Sequence, residues 1–532
     1  MKILSAFKRL VILVSICLPF SLQGQTASKT KPNWQNLDLK TDSVFGISTE
    51  KAYNELLKDK KHTTVLIAVI DGGVDINHED LKSVIWNNPG ETAANNIDDD
   101  KNGYADDIHG WDFIGSARGD VQYDNMELVR LINLDRSRFV NVDSAKLKGK
   151  DLEDFKEYRR MRNDVAGQTE KATRIYNNIA GFNEVLTGML PGLNNGNPSL
   201  NDIKHYRPQS DAEGRVKEVL IESFDQYGSL AEFRKQEIEE GLKHYKEKLQ
   251  YHLNFNYDPR AIVGDNYSDS NEHFYGNNDV TGPDAEHGSH VSGIIGAVRD
   301  NNVGVKGVAN DVMIMSVRTI PNGDERDKDV ANAIRYATAN GAKVINMSFG
   351  KGYSHDKKVV DEAVKFAMSK DVLIIHSAGN DNKNTDTEPD FPNKYYQDNS
   401  GSAQAWIQVG ASGLQDDETL KASFSNYGKT SVDVFAPGVK INSATPNSTY
   451  TEHDGTSMAA PMVTGLAALI RSYYPKLTAM QVKEIILKSV VKIDHKIVIK
   501  NGDGKRRVQF SEVCSSGGIV NAYNALKLAA TY

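Results

Sequence analysis

The chain reads as an α/β protein built on a parallel sheet flanked by helices, with a large, mainly helical insertion. Three observations lead there. The run Thr63 to Ile70, Thr-Thr-Val-Leu-Ile-Ala-Val-Ile, has the length and β-branched apolar character of a strand buried on both faces. Between Val312 and Ser377 similar runs alternate with helical segments, the pattern of parallel strands joined by helices. Between Ser116 and Pro259 the apolar period changes to three and four, which marks amphipathic helices.

In chain order, Lys8 and Arg9 precede an apolar run, Leu10 to Leu22, which is followed by polar Gln23-Gly24-Gln25. The run is too short to span a bilayer and has the order of a secretory signal. Residues 1–24 are therefore expected to be a signal peptide, and the mature chain to be exported to the periplasm or the extracellular space. Cys17 is a poor lipid-anchor site, because Ser15-Ile16 precede it and the apolar run continues after it. No second stretch resembles a transmembrane helix.

With 532 residues, 39% hydrophobic and 25% charged, the chain has an ordinary globular composition. Its net charge is −8, and becomes −11 without residues 1–24, which hold Lys2, Lys8 and Arg9 and no acid. That balance argues against nucleic acid or an anionic membrane as the main partner. Cys514 is the one cysteine beyond the signal, so an intramolecular disulfide is excluded and Cys514 is read as a packing residue.

Residues 25–62 form a polar extension with one helical piece, Thr49 to Lys60. The α/β region is expected over residues 63–115 and again over 260–532, with the helical insertion at 116–259. The first strand ends in Asp71-Gly72-Gly73, and the C-terminal edge of a buried parallel strand is where α/β proteins place functional side chains. A turn aspartate is the alternative.

Residues 95–112 are dense in acids and amides. Asp98, Asp100 and Asn102 alternate, Gly103 permits a turn, and Asp106 and Asp107 follow. Alternating oxygen ligands suit a hard cation such as calcium, with Asp98, Asp100, Asn102 and Asp106 as candidate ligands and a solvated acidic turn as the alternative. His109 stands where an EF-hand loop needs its bidentate Glu. In the insertion, one series runs from Leu152 to Leu190 and a second from Leu230 to Leu249, separated by the turn-rich Pro191 to Ser199.

The α/β pattern resumes at Glu286-His287-Gly288-Ser289-His290, two histidines at a helix entrance without the Glu of a zinc peptidase helix. Strands are expected at Val312 to Val317, Val344 to Met347 and Val372 to Ser377, and helices at Asp329 to Ala339 and Lys357 to Ser369. Two of these strands end at Ser348-Phe349-Gly350 and Ala378-Gly379-Asn380, which delivers Asp71, Ser348 and Asn380 to one sheet edge. Gly455-Thr456-Ser457-Met458-Ala459-Ala460-Pro461 then opens an apolar helix. A serine at the start of that helix is compatible with an N-cap or with a nucleophile favoured by the helix dipole.

Taken together, Asp71, His287, Asn380 and Ser457 supply what a serine hydrolase needs: an orienting carboxylate, a base, an oxyanion donor and a nucleophile. The blocks around them, with Ala422 to Gly428, Ala436-Pro437-Gly438 and Gly518-Ile519-Val520-Asn521-Ala522, resemble the subtilisin-like serine peptidases. The resemblance covers about Thr63 to Ile114 and Ala261 to Ala530. It implies Asp71 as orienter, His287 as general base and acid, Ser457 as nucleophile and Asn380 as oxyanion donor. It also implies Ser348, Phe349 and Gly350 as an edge segment that pairs with an extended peptide. Polypeptides are the implied substrates, and no cofactor is required for the chemistry, with calcium as a structural ion.

The chain departs from the family pattern in four places. Gly72 replaces the Ser or Thr that usually follows the aspartate, which removes a hydroxyl able to hold the carboxylate. Ser289 replaces a Thr. No segment of pro-domain size separates the signal from Thr63. The stretch from Asp71 to His287 is far longer than usual, and its helical excursion is expected to cap or flank the groove. The alternative functions are a catalytically inactive peptide-binding homologue and an acyl transferase using the same groups. The acids Asp386, Glu388 and Asp390 after Asn380 are read as solvated loop charges, with a pocket for a basic side chain as the alternative.

Overall fold

The computed structural model describes residue 31, residues 33–501 and residues 504–532. The expected signal segment 1–24 and the first residues of the extension lie outside the described residues. The chain divides into two compact units, one comprising Leu128–Tyr257 and the other Thr30–Glu127 with Asp258–Tyr532.

The larger unit is built on a nine-stranded sheet. Its strands are β1 (Val65–Asp71), β2 (Gly110–Asp112), β3 (Val312–Arg318), β4 (Val344–Met347), β5 (Leu373–Ser377), β6 (Trp406–Ser412), β7 (Val434–Pro437), β8 (Val491–Lys492) and β9 (Gly518–Ile519). Their spatial order is β8-β9-β7-β6-β5-β4-β1-β3-β2. All neighbours are parallel except β8 and β9. The helices that position the site are α1 (Glu286–Gly296), α2 (Asp327–Ala339), α3 (Lys357–Ser369) and α4 (Thr456–Tyr473).

The contiguous apolar run in β1 is explained by helices on both faces. Ile67 and Val69 belong to one apolar cluster with Val291 and Ile295 of α1 and Val463 and Leu466 of α4. Ala68 and Ile70 belong to another with Val330 and Ile334 of α2 and Val360 and Val364 of α3. Burying each of the Val, Leu and Ile side chains is worth about 1.5–3 kcal/mol. Residues of β1 thus alternate between two layers, and a period-2 polar face is absent there because neither face meets water.

The described residues of the N-terminal extension do not form a separate layer. Trp34, Phe45 and Ile47 are buried, Trp34 Nε1 donates to the Lys440 carbonyl at 3.1 Å, and Ala522 N–H donates to the Ile47 carbonyl at 2.7 Å. Cys514 is fully buried and unpaired, as expected of a packing residue, and burial pushes its thiol up to about 11.

The smaller unit is helical. It holds a 41-residue helix, Gly149–Met189, followed by Leu200–His205, Asp211–Tyr227 and a helical stretch from Leu230 to His252 that contains two π-helical turns. Leu186, Met189, Val216, Leu220, Leu230 and Phe233 form its apolar core. Ser199 and Ser210 cap the helices that follow the turn. The helix Asp211–Tyr227 belongs to neither apolar series read from the sequence. The compact helical unit begins at Leu128, whereas the change of period places the insertion's start at Ser116. Residues 115–120 form a short antiparallel hairpin, Gly115–Ser116 with Gly119–Asp120, in the larger unit. Within the larger unit, Arg326 donates to both Asp124 and Asp258 at 3.0 Å. The two points where the chain leaves and re-enters are therefore clamped by one guanidinium.

Candidate active site

Asp71 is the last residue of β1, and register places it level with Ser348. Ile70 pairs with Met347 across β1 and β4, and Met347 pairs with His376 of β5. Adjacent strands lie about 4.8 Å apart, so Asp71 and Ser348 emerge side by side at the C-terminal edge. The α1 N-terminus comes down on this edge through Gly288. A Cβ there would lie 2.1 Å from the Gly73 carbonyl oxygen, so a side chain at position 288 would push the helix away.

His287, the second residue of α1, receives Asp71 at Nδ1, with Oδ1 at 2.8 Å and Oδ2 at 3.0 Å. A carboxylate against Nδ1 fixes the tautomer with its proton there, leaving Nε2 as a base. Desolvation pulls the imidazolium down. The charge and hydrogen bond of Asp71, aided by Asp284 and Glu286, outweigh this and hold His287 above the ordinary imidazole value. Asp71 is 4% exposed and the His287 side chain 45%, so the orienting group is enclosed while the base faces solvent. Gly72 compensates for its missing hydroxyl with its backbone, since its N–H donates to Asp71 Oδ1 at 2.8 Å. Arg318 Nε holds the Gly72 carbonyl at 2.9 Å.

The second histidine of the pair has a different fate. His290 is fully buried, with Nε2 against the carbonyls of Ile441 at 2.9 Å and Thr451 at 3.0 Å. Burial lowers its pKa to about 3, which makes it a neutral donor. Ser289 accepts from Asp75 N–H at 2.8 Å.

Helix α4 starts at Thr456 with Gly455 as its cap residue and no side-chain cap. Ser457 is thus the second helical residue, and the N-cap alternative is excluded. Its Oγ donates to the Ser348 carbonyl at 3.0 Å. Four residues on, Pro461 lies inside the helix and has no N–H for the Ser457 carbonyl. That orphaned acceptor is taken by Ser348 Oγ at 3.0 Å. Asn346 Nδ2 donates to the same Ser348 hydroxyl at 3.0 Å, and Thr464 Oγ1 donates to Asn346 Oδ1 at 2.8 Å. Sequence reasoning missed Asn346 and Thr464, which carry no motif of their own. Ser457 Oγ is engaged by the Ser348 carbonyl rather than by His287, and catalytic hydrogen bonds are commonly unformed without substrate.

Asn380 follows β5 and is oriented by Thr456, whose N–H and Oγ1 both donate to Asn380 Oδ1 at 2.9 Å. A backbone N–H must meet an oxygen, so the amide nitrogen is turned the other way. A Cβ built on Gly455 would lie 3.6 Å from Asn380 Nδ2 and 3.5 Å from Ser457 N. Both nitrogens therefore border one small space at the start of α4. Such convergent donors can stabilise an oxyanion.

Ser348, Phe349 and Gly350 continue beyond β4, which lies between β1 and β5 rather than at the sheet's edge. The segment leaves the ladder, and Lys351 then bridges to Phe391. Of the candidate calcium ligands, only Asp100 converges with other carboxylates, and its partners are Glu91 and Asp107. Asp98 accepts from the N–H groups of Asn102 and Gly103, and Asp106 from those of Asn95 and Asn96. Those two acids shape the turn.

The sequence profile of the subtilase family matches residues 62–510. The chain is 41% identical over 187 residues to the thermophilic serine proteinase of Bacillus sp. (strain AK1), which covers 35% of this chain and 42% of that protein. It is 38% identical over 201 residues to subtilisin DY of Bacillus licheniformis, covering 37% of this chain and 67% of the relative. Thermitase of Thermoactinomyces vulgaris is 38% identical over 187 residues, covering 35% and 61%. The chain thus spans less than half the length of the first of these relatives. With the profile covering most of its residues, this chain belongs to the subtilase family.

Proposed function

We propose that this protein is a serine endopeptidase that cleaves polypeptides through an acyl-enzyme. The observation that carries the reading is the register match of Asp71 and Ser348, which sets the Asp71–His287 pair beside the strand end that holds Ser457. Ser457 Oγ attacks the scissile carbonyl while His287 Nε2 takes its proton. Asp71 stabilises the resulting imidazolium. Asn380 Nδ2 and Ser457 N–H hold the oxyanion; losing one such donor costs about 3 kcal/mol in the transition state. His287 then gives its proton to the leaving amine, and water reverses the sequence to release the acid. Residues 348–350, free of the sheet ladder, pair with the extended substrate backbone.

The reading is tested by Ser457→Ala, which is expected to abolish peptide hydrolysis with an unchanged melting temperature. Hydrolysis retained by the variant would overturn it. Tight binding of an extended peptide without hydrolysis by the native chain would favour the inactive binding homologue.

The chain is exported in this reading, on the strength of residues 1–24, and fractionation of expressing cells tests that step. Among the described residues no helix is long and apolar enough to cross a membrane. A hard cation such as calcium would be held by Glu91, Asp100 and Asp107, an oxygen-only set, in a structural role. Burial pushes Asp107 up to about 6, a cost that a bound cation relieves. A melting temperature that calcium leaves unchanged would remove it from the account.

A further inference from the structure

Two backbone segments frame the space beside Ser457. Ser348–Lys351 leaves β4, and Ala378–Asn380 leaves the neighbouring β5. A third segment crosses toward both. Phe391 N–H donates to the Lys351 carbonyl at 2.8 Å, and Lys351 N–H to the Phe391 carbonyl at 2.9 Å. A Cβ on Gly379 would lie 3.0 Å from Asp390 Oδ2, and one on Gly350 would lie 3.3 Å from the Phe391 carbonyl oxygen. Glycines on both framing segments thus allow residues 390–391 to approach them closely, and the Asp390 carboxylate lies against the residue that precedes Asn380.

That carboxylate is part-buried and fixed. Asn426 Nδ2 donates to Asp390 Oδ2 at 2.9 Å and to the Ala378 carbonyl at 2.9 Å. No lysine or arginine pairs with Asp390 among the described residues. Lys351, on the framing segment, is spent elsewhere: its ammonium meets Asp327 at 2.8 Å, Glu127 at 3.3 Å and the Glu325 carbonyl at 2.7 Å. Lys383 pairs with Asp381 at 3.7 Å and attracts Asp390 without forming an ion pair with it. Burial, with repulsion from Asp381, pushes Asp390 up to about 6. Its acidic neighbours differ. Asp386 accepts from Thr430 and Ser431, and Glu388 is exposed to solvent. A fixed, part-buried carboxylate in no close ion pair, with Lys383 acting on it only at longer range, favours a ligand that brings a cation to it.

We propose that Asp390 is a specificity-determining residue that receives the lysine or arginine side chain of the substrate residue on the acyl side of the scissile bond. This rests on the peptidase reading above. A carbonyl held at Asn380 and Ser457 places the side chain of its own residue next to Gly379, and a long cationic chain can lay its apolar stem along the framing segments and its charge at Asp390.

The test compares kcat/KM for two peptides identical except for Lys or Phe at that residue, on the native chain, Asp390→Asn and Asp390→Glu. The native chain is expected to prefer Lys by about tenfold or more, the scale of a charge-assisted contact. Asp390→Asn is expected to erase that preference by lowering the Lys value alone, and Asp390→Glu to retain a preference for Lys. The ratio within each variant is independent of its folded fraction. A ratio unchanged by Asp390→Asn, or a native preference for Phe, overturns the assignment. Labelling of Ser457 by the small neutral reagent phenylmethylsulfonyl fluoride separates the two levels. Labelled Ser457 without a Lys preference overturns the role of Asp390 alone, whereas neither labelling nor hydrolysis overturns the peptidase reading as well.

Discussion

Ser348 and Ser457 exchange two hydrogen bonds of 3.0 Å each, hydroxyl to carbonyl in both directions. One of them exists because Pro461 leaves the Ser457 carbonyl without its helical partner. A proline that would be a defect in an ordinary helix here fixes the strand end after β4 to the start of α4. The site is thus joined to the sheet by a polar clamp that continues through Asn346 to Thr464.

Removing one arm of that clamp should show in stability. Ser348→Ala leaves the Ser457 carbonyl without its donor, and an unpaired acceptor at this depth costs about 1–3 kcal/mol. Chemical denaturation is expected to report a loss of that size. An unchanged midpoint would show that water replaces the hydroxyl and that the clamp contributes no stability.

The Asp71–His287 pair predicts the acid side of the activity profile. His287 must be neutral to accept a proton, and Asp71 holds its pKa above the ordinary imidazole value. The rising limb of kcat/KM is therefore expected above that value, since this limb reports the free enzyme's base. Asp71→Asn removes the charge that raises the pKa and leaves the desolvation that lowers it, so the limb moves to lower pH while the plateau falls. A limb that stays in place would assign the titration to another group.

The clamp of Asp124 and Asp258 on Arg326 predicts that the helical unit is separable. Replacing Leu128–Tyr257 with a short Gly/Ser linker is expected to leave the remaining unit folded, with cooperative unfolding preserved. If the helical unit restricts access, cleavage of large folded substrates rises while hydrolysis of short peptides is unchanged. An identical substrate range would end that role for it.

Much of this was legible in the sequence for a physical reason. Strands buried on both faces are contiguous apolar runs, so β1, β3, β4 and β5 appear within two residues of their expected positions, and polar residues at their ends stand out. Other features depend on contacts between distant residues. Asn346 and Thr464 meet across the sheet and helix, and Asp390 differs from Asp386 only in what surrounds it. Asp98, Asp100 and Asn102 alternate as cation ligands do, with Asp106 following, yet a turn that uses its own carboxylates as acceptors writes the same pattern. Ser457 was expected as the first helical residue, but Thr456 precedes it and holds Asn380.

In the proposed mechanism Ser457 is a nucleophile activated by His287. The most direct measurement is reaction of the intact chain with phenylmethylsulfonyl fluoride, followed by mass mapping of the modified residue. One adduct per chain is expected, on Ser457, with its rate reduced at least about a hundredfold in His287→Ala, the low end of general-base contributions. An unlabelled Ser457 in the folded native chain, or labelling that does not depend on His287, would contradict it.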